Sequence, residues 1–215
     1  MLGHLIDSNR LERFFFHMES LGLTGIKPYS KGTTSLVFLG EFGGKRVIVK
    51  LLRPDSPRSN LEREAAIVKI LEPFKITPPL LFTGTFEGLP YIVREFAVGE
   101  PILHADLEKR HLFEIVEKTA LLDRLGLDHG QIQGGKHIII GERVWIIDFE
   151  KANWRKPKNL TSAMAMLFLN DNRISRRVRG KFGIDDTFLE GMKRKLAEYK
   201  RTGKFSGILA LLSRL

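Results

Sequence analysis

Cysteine is absent from the 215-residue sequence, and glutamine occurs only at positions 131 and 133. Without a thiol the chain can form neither disulfides nor thiolate metal sites, and it cannot use a cysteine nucleophile. No apolar run approaches the roughly 18 residues that a membrane-spanning helix needs, and residues 1–10 lack a signal-peptide pattern. We therefore expect a globular, cytoplasmic protein without membrane contact. Scarce glutamine beside abundant Lys, Arg and Glu is typical of thermophilic proteins.

Positive charge is in excess, at a formal net +10, and it is unevenly distributed. Residues 1–149 carry 19 basic and 19 acidic side chains, whereas residues 150–215 carry 16 basic and 6 acidic ones. The whole excess therefore lies in the last third of the chain, which favours a polyanionic partner such as nucleic acid. A surface rich in Lys and Arg for reasons of stability explains the same charge equally well.

Residues 1–98 combine strand and helix patterns. The apolar spacing predicts a helix at 9–21 capped by Asp7 or Ser8, a hairpin at 28–50 with a Gly43–Gly44 turn, a helix at 59–71, and a second hairpin turning at Glu87–Gly88. We expect the first helix, within an N-terminal extension at 1–27, to pack on the body that follows. Residues 28–98 would then form a lobe of antiparallel sheet plus one helix.

Residues 99–215 have a mainly helical pattern and are predicted to form a second lobe after a linker at 97–101. The predicted elements are a long helix at 104–125, a hairpin built from 137–140 and 144–147, and helices at 160–169, 186–199 and 206–215, with a basic loop before the second of these three.

Two features of the first lobe are candidates for a functional role. A turn within 30–38 contains one glycine and the hydroxyl residues Thr33, Thr34 and Ser35. Its backbone N–H groups and these side chains suit phosphate oxygens, although an ordinary hairpin explains it as well. Lys50 ends an apolar strand, where a half-buried ammonium needs a carboxylate partner. Glu64 on the following helix is the expected partner, and Glu62 is the competing choice.

In the second lobe, Asp148 directly follows the apolar run "VWII". A rigid strand end suits a carboxylate that holds a divalent cation against phosphates. A solvated turn aspartate is the alternative interpretation.

The order of these parts resembles the protein-kinase fold over about residues 28–170. The shortness of the chain, and the His-Gly pair at 129–130 in place of the His-Arg of typical kinases, resemble the KEOPS and RIO atypical kinases. The segments "KGTTSLVFLGEF", "KHIII", "IIDFEKA" and "KPKNLTSAMAMLF" are similar to an archaeal group of predicted Ser/Thr kinases. That group includes an RNA kinase that phosphorylates the ribose 2′-hydroxyl of a uridine in the tRNA variable loop.

The resemblance implies an α+β, bilobal kinase-like fold with a minimal C-terminal lobe, and a phosphotransferase that uses ATP and Mg²⁺. It requires Lys50 and Asp148 to act on the same nucleotide phosphates. The residues implied to bind ATP are Lys31, Gly32, Thr33, Thr34, Ser35, Lys50, Glu95 and Ala97. The residues implied to bind the metal are Asp148, His137 and Glu150.

The sequence departs from the kinase pattern in the catalytic loop. Gln131 occupies the position of the usual catalytic aspartate and cannot accept a proton at neutral pH. Because phosphoryl transfer has a loose transition state, positioning and charge neutralisation supply most of the rate. We therefore nominate Asp128 or His129 as the base, Gln131 as an orienting donor, and Lys136 as a group that neutralises the γ-phosphate. A solvated lysine is the alternative for Lys136.

Typical kinases have an asparagine that binds a second metal ion. His137 occupies its position if one residue is inserted in the preceding turn, and Lys136 occupies it otherwise. Glu150 replaces the glycine of the Asp-Phe-Gly motif.

The acceptor is predicted to be tRNA, because two basic clusters lie in the last third of the chain. The candidate RNA-binding residues are Arg173, Arg176, Arg177, Arg179, Lys181, Lys193 and Arg194. Five cations within 173–181 should repel one another unless an anion is near. Phe182 or Trp154 could stack an unpaired base. Two alternatives remain, an atypical Ser/Thr protein kinase and an RNA-binding pseudokinase.

Overall fold

A computed structural model describes residues 6–56 and 60–215, which form a mixed α+β protein. The chain divides between Ala97 and Val98 into two compact units, here called unit 1 and unit 2. No helix in the described part of the chain is long and apolar enough to span a lipid bilayer.

Unit 1 contains a five-stranded antiparallel sheet with strand order β1-β2-β3-β5-β4. Its elements are α1 (Ser8–Ser20), β1 (Leu23–Lys31), β2 (Ser35–Phe42), β3 (Lys45–Leu52), α2 (Leu61–Leu71), β4 (Leu80–Phe86) and β5 (Leu89–Glu95). Gly43 and Gly44 both have positive φ, as a tight two-residue hairpin turn requires, so the predicted Gly-Gly turn is confirmed. The predicted start of α2 at position 59 lies outside the described residues.

Helix α1 covers one face of this sheet. Asp7 caps it by accepting a hydrogen bond from the backbone N–H of Arg10, as predicted. Phe14 and Met18 are fully buried in an apolar core with residues of β2, β3 and β5, so the helix packs on the body of unit 1 as expected. The predicted boundary at residue 28 falls inside β1, which begins at Leu23.

Helix α2 covers the opposite face. Leu61 and Ala65 pack there against Leu52 of β3 and Ile92 of β5. Since side chains alternate between the two faces of a strand, Lys50 shares the α2 face with Leu52. The sheet therefore separates an apolar face under α1 from a face on which a charged group lies beneath α2.

Unit 2 is mainly helical. Its elements are β6 (Glu100–Pro101), α3 (Lys109–Arg124), β7 (Leu127–Asp128), β8 (Ile138–Ile140), β9 (Val144–Ile146), β10 (Asn153–Trp154), α4 (Asn159–Met164), α5 (Arg173–Phe182), α6 (Asp186–Thr202) and α7 (Ser206–Leu212). Helix α4 continues as a π-helical turn at Ala165–Leu169. Strands β6, β8 and β9 form one small sheet, and β7 pairs with β10.

Two sequence predictions in unit 2 are wrong. Helix α3 begins at Lys109 rather than at 104, because Glu108 and His111 form a reciprocal capping box that fixes its start. The basic stretch before α6 is the helix α5 rather than a loop. Asn172 caps α5 through a second capping box, and Gly183 ends it in the left-handed conformation.

Candidate active site

A buried ion pair joins the sheet of unit 1 to α2. Lys50 Nζ lies 2.8 Å from both carboxylate oxygens of Glu64. Both side chains are buried, Glu64 completely, so the charge of Glu64 depends on the lysine for its stabilisation. Glu62, the competing partner from the sequence, is exposed. The structure thus pairs Lys50 with Glu64.

Arg94 is a second buried cation on this face, which sequence reasoning did not select as a site residue. It lies opposite Ile48 in the β3–β5 ladder, and Ile48 is two residues from Lys50, so the three side chains share one face. Arg94 is only 4% exposed, and its Nε and Nη1 have no hydrogen-bond partner in the described part of the chain. These two buried nitrogens are hydrogen-bond donors that an anionic ligand on this face of unit 1 would satisfy.

The predicted phosphate-binding turn is a tight loop between β1 and β2. The backbone N–H of Gly32 donates to the carbonyl of Ser35 at 2.8 Å. Arg53 Nη1 donates to the carbonyls of Gly32 and Thr33 at 3.2 and 3.1 Å. Ser35 is buried and belongs to the packing of the loop. The positions left exposed or half-exposed, where an anion could bind, are Lys31, Gly32, Thr33 and Thr34.

Two further residues that the resemblance implies for ATP binding are Glu95, the last residue of β5, and Ala97, two positions later. The Glu95 carboxylate forms an ion pair with Lys45 of β3, and its backbone N–H donates to the carbonyl of Pro79 at 3.0 Å. Ala97 has no polar side chain. A base bound here would therefore have to use main-chain groups, since the Glu95 side chain is already engaged.

In unit 2, Asp148 has a strained backbone. Its φ is +67°, in the left-handed region, which costs a non-glycine residue roughly 1–2 kcal/mol. Strain of this kind concentrates at functional sites, where the surrounding structure enforces it. Asp148 Oδ2 lies 3.3 Å from His137 Nε2, and the Asp148 side chain is about a third exposed.

His137 has one unsatisfied ring nitrogen. The residue is only 6% exposed, and its Nδ1 has no hydrogen-bond partner among residues 6–56 and 60–215. Leaving a buried polar atom unpaired costs about 1–3 kcal/mol. A ligand that reached this nitrogen would relieve the cost, while the other ring nitrogen, Nε2, faces Asp148.

The predicted three-residue metal set is not assembled. Within the described residues no three His, Asp or Glu side chains are placed to hold a metal ion, so Glu150 does not complete a set with Asp148 and His137. Glu150 directly follows Phe149, which is fully buried, and is itself half-buried. Asp148 alone still offers a carboxylate, and proteins bind Mg²⁺ through one or two carboxylates, its other ligands being water and phosphate oxygens.

His129 is a structural residue rather than a base. Its Nε2 lies 2.9 Å from the carbonyl of Ile147, and its Nδ1 accepts the backbone N–H of Gln131 at 3.3 Å. The ring is fully buried against Phe149, with 4.8 Å between ring centroids. Burial lowers the pKa of His129 to about 4. Since both nitrogens are engaged and the ring stays neutral, nominating His129 as the base was wrong.

Asp128 is the base candidate that remains. Its Oδ2 accepts a hydrogen bond from Arg155 Nε at 2.6 Å, and its Oδ1 accepts the backbone N–H of Gly130 at 3.3 Å. Gln131 is half-exposed and starts a short 3₁₀ turn at Ile132–Gly134. Lys136 is exposed, and within the described chain it has no hydrogen bond or ion pair.

An anchor for this loop was missed by sequence reasoning. The Asn159 side chain accepts the backbone N–H of His129 at 2.9 Å and donates to the carbonyl of Leu127 at 2.7 Å. Asp123 on α3 accepts from both the backbone and the side-chain amide of Asn159, each at 2.8 Å. The only sequence signal was an Asn at the start of a helix, which reads as an ordinary cap.

The first basic cluster has internal partners. Arg177 donates to the carbonyls of Ile102 and Leu103, and Arg179 Nε donates to the carbonyl of Phe168 at 2.7 Å. Arg176 lies 3.3 Å from Asp171, and Lys181 pairs with Asp106. The guanidinium groups of Arg177 and Arg179 bind backbone carbonyls of unit 2 itself, which makes these two residues less available to RNA than the sequence predicted. The expected mutual repulsion is relieved within the chain.

The remaining predicted RNA-binding residues lie at the surface. Lys193 pairs with Glu190 one turn earlier on α6 at 2.7 Å. Arg173 and Arg194 are exposed, and within the described residues neither has a hydrogen-bonded partner. Exposed ion pairs contribute little, so Arg173, Arg176, Lys181, Lys193 and Arg194 stay available to an external anion.

Comparison with known proteins gives one informative match. An uncharacterized protein of Methanocaldococcus jannaschii is 36% identical over 115 residues, which span 98% of that protein and 50% of this chain. The chain belongs to the same family as that archaeal protein. No family model matches the chain. Since that relative is uncharacterized, an activity is inferred from the residues of the two units.

Proposed function

We propose that this chain is an ATP-dependent kinase of the atypical RIO- and KEOPS-like type, with a bilobal kinase-like fold and the ribose 2′-hydroxyl of a tRNA nucleotide as its acceptor, a uridine in the variable loop by the resemblance. The observation that carries the proposal is the buried Lys50–Glu64 pair. A protein pays a large desolvation cost to keep an ammonium buried on a sheet face, and contact with nucleotide phosphates is a reason to keep it.

Unit 1 supplies the groups that bind ATP in this proposal. Glu64 fixes the position of the Lys50 ammonium, which would donate to phosphate oxygens. Arg94 adds positive charge on the same face, and the exposed part of the loop at Lys31–Thr34 offers backbone N–H groups. The two nitrogens of Arg94 that lack an acceptor among the described residues support an anionic ligand over a neutral one.

Unit 2 supplies the groups that act at the transferred phosphate. Asp148 would hold Mg²⁺, with His137 beside it. When bound, the ion would neutralise charge that develops on the phosphate oxygens. Lys136 would add a second positive charge from its exposed loop position.

Asp128 would receive the proton of the acceptor hydroxyl, and Gln131 would orient that hydroxyl. The Arg155 guanidinium donates to the Asp128 carboxylate at 2.6 Å and holds it in position. A weak base suffices here, because a loose transition state needs little proton abstraction before the phosphoryl group moves.

The test is phosphoryl transfer from γ-labelled ATP with bulk tRNA as acceptor. We expect label in RNA with the wild type, and none with Asp148→Asn, which has nearly the same shape but lacks the charge. Ribonuclease digestion followed by identification of the labelled nucleotide would show whether the phosphate is on a 2′-hydroxyl. Label found only in added protein would favour the protein-kinase alternative. If neither the wild type nor Asp148→Asn transfers label, and both still bind RNA, the pseudokinase alternative is favoured.

A further inference from the structure

We propose that residues 151–158, here called the basic segment, and the cavity beside Asp128 bind the sugar-phosphate backbone of unpaired RNA. The inference rests on the proposed function, because it assigns a site to the acceptor of that reaction. It also moves the RNA contact away from α5, where the sequence had placed it.

The cavity lies entirely within unit 2 and measures about 330 Å³. One wall is the loop that holds Asp128, Gly130 and Gln133, and the other includes Arg155, Lys156 and Lys158. A volume at the lower end of the range for small-ligand pockets suits one nucleotide unit and excludes a double helix. The candidate base is thus a wall of a cavity of suitable size for an acceptor nucleotide.

The backbone fixes the basic segment beside this loop. Strands β7 and β10 pair in the register Asn153 to Asp128 and Trp154 to Leu127. The backbone N–H of Arg155 then donates to the carbonyl of Gly126 at 3.2 Å. Because this ladder is part of the fold, the cations of the segment are held next to Asp128 by main-chain bonds.

The charge of the segment is not balanced within the described chain. Residues 151–158 contain four basic side chains and no acidic one. Arg155 is neutralised by Asp128 at 2.6 Å. Lys151, Lys156 and Lys158 are exposed, and none of the three has an ion pair with a described residue. This contrasts with α5, where four of five cations already have an acceptor in the protein, so the basic segment is the better site for an external polyanion.

An exposed aromatic ring favours RNA over an acidic peptide. Trp154 is 50% exposed and follows Asn153 in the paired strand. Exposed aromatic rings beside a line of cations are typical of surfaces that bind single-stranded nucleic acid, since bases stack on the ring and phosphates contact the cations. Trp154 does not line the cavity, so we assign the cavity to one unpaired nucleotide with its phosphates on Lys156 and Lys158, and the ring to the base of a neighbouring nucleotide.

The test measures the salt dependence of binding to a fluorescein-labelled 12-nucleotide RNA of unpaired sequence. Two variants with equal charge loss are compared, K156Q/K158Q in the basic segment and R173Q/R176Q on α5. All four side chains are exposed, so both variants should melt within a few degrees of the wild type. For K156Q/K158Q we expect the slope of log K against log salt to fall by about 1.4, at roughly 0.7 per phosphate contact on a single strand. For R173Q/R176Q we expect an unchanged slope.

Trp154→Ala should weaken binding about tenfold without changing the slope, because stacking carries no charge. The inference is overturned if the α5 variant loses slope while K156Q/K158Q does not, or if the wild type fails to bind the RNA.

Phosphoryl transfer separates this inference from the proposed function. If K156Q/K158Q labels tRNA with wild-type KM for RNA, the acceptor site is wrong and the kinase proposal stands. If the RNA binds through Lys156 and Lys158 but no variant transfers phosphate, the kinase proposal is wrong and the binding surface stands.

Discussion

Tyr199 of α6 donates a hydrogen bond of 2.8 Å to the Asp123 carboxylate of α3. The same carboxylate accepts from the backbone N–H groups of Asn159 and Leu160. One acidic side chain therefore ties two long helices to the start of α4 and, through Asn159, to the loop at Asp128.

Asp123→Ala should lower the free energy of unfolding of the protein by roughly 3 kcal/mol, because several buried donors would lose their acceptor. Tyr199→Phe should cost about 1 kcal/mol, since it removes one hydrogen bond. The control is Asp171→Ala, whose carboxylate is mostly exposed and which should change stability by less than about 0.5 kcal/mol. Urea unfolding measures all three. An Asp123→Ala protein as stable as the control would contradict this account.

Lys50→Met should destabilise the protein by about 3–5 kcal/mol, because the Glu64 carboxylate would stay buried without its cation. The double variant Lys50→Met/Glu64→Met should recover most of that loss, while neither variant should bind ATP. Denaturant unfolding and calorimetric titration with ATP check the two statements separately. Equal stability of the single and double variants would argue that Glu64 is not the group that depends on Lys50.

Arg94→Met should make the ligand-free protein more stable, by about 1 kcal/mol or more, because a buried cation with two nitrogens that lack an acceptor among the described residues is replaced by an apolar side chain of similar length. The same change should weaken ATP binding if the positive charge of this face serves an anionic ligand. Thermal melts with and without ATP measure both effects. The matched control is Arg13→Met on α1, on the opposite side of the sheet. Its exposed ion pair with Glu87 contributes little, so the change should affect neither result strongly.

His129 should make stability depend on pH between about 4 and 6.5. Its pKa is lowered to about 4 in the folded protein from an ordinary 6.5, so between these values the unfolded chain binds the proton and the folded one does not. Stability should therefore be full above pH 6.5 and fall as the pH decreases toward 4, by about 3 kcal/mol from this residue. Unfolding curves at half-unit pH steps give the profile. His129→Gln should flatten it in this window, and an unchanged profile would count against the buried neutral ring.

Arg177→Ala should lower the free energy of unfolding by roughly 2 kcal/mol, because the carbonyls of Ile102 and Leu103 would lose a charged donor. Arg173→Ala, on the exposed side of the same helix, should change it by less than about 0.5 kcal/mol. A comparison of thermal melts is sufficient. Equal effects would mean that Arg177 is a surface cation, as the sequence had suggested.

The strands and hairpins of unit 1 were predictable because their signals are local. Alternating apolar residues and the Gly43–Gly44 turn set the period and the register over a few positions. The Lys50–Glu64 pair was also within reach, since a cation at a strand end and a carboxylate on the apolar side of the next helix each need a partner.

Helix α5 was predicted as a loop because its charge density outweighed its helical signals. Asn172 with Ser175 three positions later forms a capping box, and Ile174 and Val178 lie four residues apart, which is a helical spacing. The arginines of α5 were interpreted as a cluster of mutually repelling charges. No sequence rule indicates that a guanidinium such as that of Arg177 will bind a backbone carbonyl about 75 positions away.

The interactions around the loop at Asp128 could not be predicted from the sequence for a similar reason. The roles of Asn159 and Arg155 depend on contacts between elements 27 to 36 positions apart. Arg155 is one of three nearly adjacent cations, and only the β7–β10 register distinguishes it from its neighbours. Burial of His129 is likewise a tertiary property, so a histidine in a catalytic-loop position looked reactive from its type alone.

Helix α1 blocks the access of ligands to one face of the sheet of unit 1. Because Phe14 and Met18 fill the space beneath α1, a small molecule cannot reach Lys50 from the α1 side of the sheet. Phe16 points outward from α1 and is 73% exposed. Since the protein has no natural thiol, a single cysteine introduced there could carry a dye whose signal reports unfolding of the unit while staying silent to occupancy of the opposite face.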